Sequence, residues 1–298
     1  MNVAKRWPLL ALLGLWLVQD ASHAQQPAQK ATKHCLWKVQ GASNTVYLFG
    51  SIHFLKKSFY PLPRPIEDAY KQSPITVFEV DFDEMKSPEA QLKMVQQGKY
   101  PEGDSIKKHL PKDTYDKLHA YVANRMGDGA AFDSLKPWMV AVALLGIELQ
   151  KLGFDPEQGV DQYFVSKARQ DKKQVMALET VDAQLSLFAG LSRDEEEAML
   201  KEAMTEITKF EKIFADVIEA WRTGDTKALE KFIVESMRDH PKIHKKLLID
   251  RNQEWATKLE KLLAGGKDAF VVVGAAHLVG KDSVIDLLSR KRFKIQQL

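Results

Sequence analysis

The chain has 298 residues, 45% hydrophobic and 28% charged, which excludes disordered and collagen-like classes and allows a substantial core. Its 43 Lys and Arg against 40 Asp and Glu leave a net charge of +3, too small to point to nucleic acid or an anionic membrane as partner. A single cysteine, Cys35, excludes an intramolecular disulfide, so the fold must be held by its core.

Lys5 and Arg6, the apolar run from Trp7 to Val18, and Ala21-Ser22-His23-Ala24 read as an export signal cleaved after Ala24. The apolar run is shorter than a spanning helix needs, so no stable membrane anchor is expected after cleavage. The expected organisation is a signal peptide over 1–24, a flexible leader over 25–34 and one domain over 35–298, placed in the periplasm or secreted. Thr32-Lys33-His34 is not the small, apolar box of a lipidated cysteine, and Cys35 reads as a lone thiol near a loose N-terminus.

Leu36-Trp37-Lys38-Val39 and Thr45-Val46-Tyr47-Leu48-Phe49 flank Gly41-Ala42-Ser43-Asn44 and predict a hairpin. Pro61, Pro63 and Pro65 precede a short amphipathic helix through Ile66, Ala69 and Tyr70 that Ser73-Pro74 ends. A strand over Ile75 to Asp81 follows, apolar and β-branched except at Glu79. From Pro88 to Gly265 the pattern is mostly helical, with a short strand at Gln174 to Leu178. Within it, Pro137-Trp138 opens a buried helix, and Ser192 with Glu195 caps one long helix running to Trp221. Lys227 to Met237 and Ile243 to Leu263 continue as helices. Phe270-Val271-Val272-Val273, a helix around Leu287 and a strand at Phe293-Lys294-Ile295 close the chain. The fold class is α/β with α+β character: a mixed sheet from the two chain ends around a large helical section.

The chemistry concentrates at two matching turns, Gly50-Ser51-Ile52-His53 and Gly274-Ala275-Ala276-His277, each closing an apolar strand. A sharp glycine turn would present each imidazole beyond its strand end, and adjacent strands would bring the two together. Glu79 is costly in its strand unless it binds a metal or pairs, with Arg251 the obvious partner. Two imidazoles and a carboxylate are a common divalent-metal set in hydrolytic sites, here manganese, cobalt or zinc. His34, His109, His119, His240 and His244 sit in polar surroundings and are assigned no role.

With Val46-Tyr47-Leu48-Phe49-Gly50-Ser51-Ile52-His53, Phe78-Glu79 and Val273-Gly274-Ala275-Ala276-His277-Leu278-Val279-Gly280, the chain resembles the TraB/GumN family, which is related to the Tiki-type metalloproteases. Pro137-Trp138, Gly159-Val160-Asp161, Leu178-Glu179-Thr180 and Arg251-Asn252 agree with it, so it extends from about residue 35 to the C-terminus. The resemblance implies a metal site of His53, Glu79 and His277 acting on a peptide or related small substrate; in such a site a nearby carboxylate moves the proton, and Glu79 is the catalytic candidate. It also implies that Arg251 and Asn252 orient substrate or stabilise an oxyanion, with Asp161 and Glu179 as weaker site candidates. The alternative is a non-catalytic protein associated with peptide or polysaccharide that uses the same cleft.

Overall fold

A computed structural model describes residues 33–298, apart from 208, 235, 236, 238 and 239. The expected signal peptide and most of the leader lie outside the described residues. The chain begins with the hairpin of β1 (Leu36–Gln40) and β2 (Thr45–Ser51), then α1 (Arg64–Gln72) and β3 (Ile75–Phe78). Helices α2 (Phe82–Met85), α3 (Pro88–Gly98), α4 (Lys112–Met126), α5 (Pro137–Lys151) and α6 (Val160–Gln170) follow. After β4 (Gln174–Ala177) come α7 (Val181–Ala189), α8 (Arg193–Glu206), α9 (Phe210–Arg222), α10 (Thr226–Leu229), α11 (Pro241–His244) and α12 (Asp250–Ala264). The chain closes with β5 (Ala269–Gly274), α13 (Val284–Arg290) and β6 (Lys294–Gln297). No helix of the described residues is long and apolar enough to cross a membrane.

These elements form two compact units. The first takes the chain up to Glu79, Leu149–Leu178 and Phe210–Leu298; the second takes Val80–Glu148 and Glu179–Lys209. The first unit holds one six-stranded sheet in the order β4-β3-β5-β2-β1-β6. β4, β3, β5 and β2 run parallel, while β1 is antiparallel to β2 and β6. Every residue of β5 is buried, as a central parallel strand covered on both faces requires, and this is why Ala269 to Val273 is a continuous apolar run. Around it Phe164 of α6 meets Phe270 at 4.8 Å and Tyr70 of α1 at 5.1 Å between ring centroids. Such pairs add about 0.5–1.5 kcal/mol each beyond area burial.

Two expectations change. Cys35 is buried, its thiol directed to the Trp221 carbonyl at 3.5 Å, and burial pushes its pKa up, so it is a core residue and not part of a loose end. The long helix from Ser192 to Trp221 is two helices, α8 and α9. The capping box of Ser192 and Glu195 forms as expected. The break falls in a run with β-branched Thr205 and Ile207, where the Thr205 hydroxyl bonds back to the Lys201 carbonyl, and the chain passes there from the second unit to the first. In the second unit Val80, Ala90, Val181 and Leu185 form a small core covered by Phe82, Met85 and Met94.

Candidate active site

Strands β2 and β5 are parallel neighbours whose last paired residues are Ser51 and Gly274, so His53 and His277 leave the same end of the sheet. β3 lies on the other side of β5 with Phe78 opposite Val272, and Glu79 follows immediately. Three side chains therefore emerge from the carboxyl ends of three adjacent strands, where parallel sheets usually place ligands. They converge on Gly274: a Cβ there would lie 3.3 Å from Glu79 Oε1 and 3.6 Å from both His53 Nε2 and His277 Cδ2. The glycine gives the Glu79 carboxylate room at its backbone and does not serve a left-handed turn, since its φ is −50°. Its N–H also donates to Glu79 Oε1 at 2.7 Å.

Each imidazole is held from behind by a different group. His53 Nδ1 is 2.8 Å from Asp161 Oδ2, and Ser51 Oγ donates to Asp161 Oδ1 at 2.9 Å. Asp161 sits in the first turn of α6, docked by the Val160 N–H on the Ile52 carbonyl at 3.0 Å. Gly159 makes that approach possible, because a Cβ on it would lie 2.2 Å from the His53 carbonyl oxygen. His277 Nδ1 is 2.7 Å from Asn252 Oδ1, and Asn252 Nδ2 donates to the Asp282 carbonyl at 2.9 Å. That second bond sets the amide orientation, so His277 Nδ1 carries the proton and Nε2 the lone pair. Arg251 agrees: its Nη1, a donor, lies 3.0 Å from His277 Nε2.

Arg251 also donates from Nη2 to Glu79 Oε2 at 2.7 Å, the pairing the sequence suggested, and both side chains are largely buried. Trp255, one turn along α12, lies beneath both groups: its ring is 4.5 Å from the guanidinium and 4.4 Å from the His277 ring centroid. Burial pushes the Glu79 carboxyl up, but Arg251, then His277, His53 and the Gly274 N–H, hold it down at about 2. Burial lowers His53, yet Asp161 by charge and hydrogen bond, with Glu79 behind it, raises it to about 9 against Arg251. Burial and Arg251 lower His277 to about 3, outweighing Glu79. The site thus holds its carboxylate anionic between two imidazoles whose basicities are shifted in opposite directions.

His53, Glu79, Asp161, Arg251, Asn252 and His277 all belong to the first unit, where the bonds above join His53 to Asp161 and, separately, Glu79 and Asn252 to each other through Arg251 and His277. Glu179 belongs to the second unit, where its carboxylate accepts from the Gln184 amide at 3.1 Å. The sequence reading missed Trp255 and Ser51, although Trp255 stands four residues after Arg251, the helical spacing that puts both on one face. The donors suit a divalent ion in kind, two imidazoles and a carboxylate. Among the described residues, however, no group of three or more His, Cys, Asp or Glu is gathered as a ready-made metal cage. Two of the donor atoms already accept from Arg251.

Among known proteins, the chain is 23% identical to the uncharacterized protein YbaP of Escherichia coli over 275 residues, 92% of this chain and 96% of YbaP. It is 22% identical to the metalloprotease TIKI2 of Danio rerio over 322 residues, 90% of this chain and 62% of TIKI2. It is 20% identical to the human metalloprotease TIKI1 over 325 residues, 91% of this chain and 63% of TIKI1, so the match spans less than two thirds of either Tiki protein. No solved structure matches. The model of the TraB/PrgY/gumN family matches residues 35–297, and the chain belongs to that family.

Proposed function

We propose that this protein is an exported hydrolase that cleaves a peptide or related amide with a divalent metal ion, for which manganese, cobalt and zinc are the candidates. The observation that carries the reading is the convergence of His53, Glu79 and His277 on Gly274. The metalloprotease names of the Tiki relatives support it. His53 Nε2, His277 Nε2 and the Glu79 carboxylate would hold the ion, which when bound supplies Lewis-acid polarisation of the scissile carbonyl. Asp161 fixes the His53 ring with Nε2 turned to the site, and Asn252 does the same for His277. Both ends of the Asn252 amide are engaged, so we assign it positioning of His277 in place of a direct oxyanion contact. Arg251 is the donor for an oxyanion or a substrate carboxylate. The export-signal pattern read in residues 1–24 supports a place for this activity in the periplasm or outside the cell.

Purified protein is incubated with a peptide library with and without manganese, cobalt or zinc, and the products are read by mass spectrometry. Metal-dependent cleavage that disappears in His53→Ala, Glu79→Gln and His277→Ala is the expected result. Peptide capture without cleavage, unaffected by a chelator, would establish the second reading, a binding protein. The engagement of two donor atoms by Arg251 is the observation that favours that second reading.

A further inference from the structure

Arg251 makes a set of contacts that pairing with Glu79 alone would not require. A guanidinium has several N–H donors and no acceptor, so each group it touches must offer a lone pair. Nη1 takes the lone pair of His277 Nε2 at 3.0 Å and the Leu247 carbonyl at 3.1 Å, while Nη2 takes Glu79 Oε2 at 2.7 Å. His277 Nε2 and the Glu79 carboxylate are the same donors a divalent ion would need here. A lone pair directed at an N–H is not directed at a metal.

We propose that Arg251 is the resident cation of this site: its guanidinium spans His277 and Glu79 in the place of a divalent ion, and a metal binds only as Arg251 withdraws. The proposal rests on the metal-site reading above. Glu79 is 6% exposed, and a buried carboxylate needs a cation beside it; the guanidinium provides one until the metal takes over that role. The side chain also has contacts outside the donor set. The Trp255 ring face and the Leu247 carbonyl both hold the guanidinium, and neither is a metal donor in this reading. Leu247 also lies in a π-helical turn, Lys245–Ile249, directly before α12, and such wide turns recur at functional sites. Arg251 is thus held at the site by groups that stay available when it releases His277 and Glu79.

The test is a titration of the purified protein with Mn²⁺ alone, followed by loss of the free-ion paramagnetic resonance signal. Wild type, Arg251→Leu and Arg251→Lys are compared, with Glu79→Gln as the control for binding at this site and thermal melts run in parallel. Removing the competitor should tighten Mn²⁺ binding in Arg251→Leu by about tenfold or more, because apparent affinity rises with the fraction of the competent state. Arg251→Lys should fall between, since an ammonium cannot span both donors as a planar fork does. Arg251→Leu should also melt below wild type without Mn²⁺ and gain more from it. Equal affinities in wild type and Arg251→Leu overturn the proposal and leave the metal reading standing. Weaker binding in Arg251→Leu overturns it as well and makes Arg251 a support of the metal site. No binding by any folded variant overturns both. If Arg251→Leu does not fold, Arg251→Lys decides: tighter binding than wild type supports the proposal, and equal or weaker binding overturns it.

Discussion

Two glutamates are buried among the described residues, Glu79 in the first unit at 6% exposure and Glu196 in the second at 9%. Burial pushes both carboxyls up. At Glu196 it prevails and the group rises to about 6, because Lys136 and His109 oppose it by charge alone. At Glu79 burial loses to a bidentate arrangement, Arg251 on one oxygen and the Gly274 N–H on the other, with His277 and His53 adding to it. The difference teaches what separates a site from a core: a carboxyl left to burial drifts toward neutrality, whereas Glu79 is kept charged by groups brought from β2, β5 and α12.

The sharpest way to break that contrast is to remove the cation. Arg251→Leu without added metal should cost about 3–5 kcal/mol in urea unfolding, the range for stranding one member of a buried pair. Combining it with Glu79→Gln should recover much of the loss; full additivity would show that the pair is not coupled. Gly159→Ala comes next, at about 3 kcal/mol, the upper end for overpacking, because its Cβ would press on the His53 carbonyl. An unchanged unfolding midpoint would show that α6 does not depend on that close approach. Asp161→Asn removes the carboxylate behind His53 and should cost about 2 kcal/mol at neutral pH, as expected for losing a charged hydrogen bond. Cost near zero would mean that an amide serves His53 as Asn252 serves His277.

The smallest effect belongs to Glu196. Its folded pKa of about 6 lies above the ordinary 4.5, so the folded state binds the proton more tightly. The resulting stability is fully present below pH 4.5 and is lost as pH rises through about 6. Glu196→Gln should therefore raise stability at pH 7.5 by about 1 kcal/mol after solvent screening, and the gain should vanish at pH 4. A gain independent of pH would assign the effect to packing and not to charge.

Much of this fold was legible because its signals are local. Apolar runs bounded by glycine and proline mark β2, β3 and β5, and Pro137 and the Ser192 box mark helix starts. Glu79 was legible as a liability, an acid in an apolar run that proves to lie just past the end of β3, and Arg251 as its partner. Asp161 ranked low because an acid in the first turn of a helix is commonly a dipole partner, and nothing in its own neighbourhood names His53. The split between α8 and α9 was hidden because the amphipathic pattern continues across it.

By itself the sequence determined the strands, the paired Gly-x-x-His turns and the residue types able to do chemistry, since backbone preference and hydrophobic period act over a few residues. Tertiary structure alone decided that β2 and β5 lie side by side in register and that Asp161 stands behind His53 and Asn252 behind His277. It also decided that the Arg251 fork spans Glu79 and His277. The side-chain pairings among them join residues up to 172 positions apart, and their energies depend on burial and a few tenths of an ångström, which no local pattern encodes.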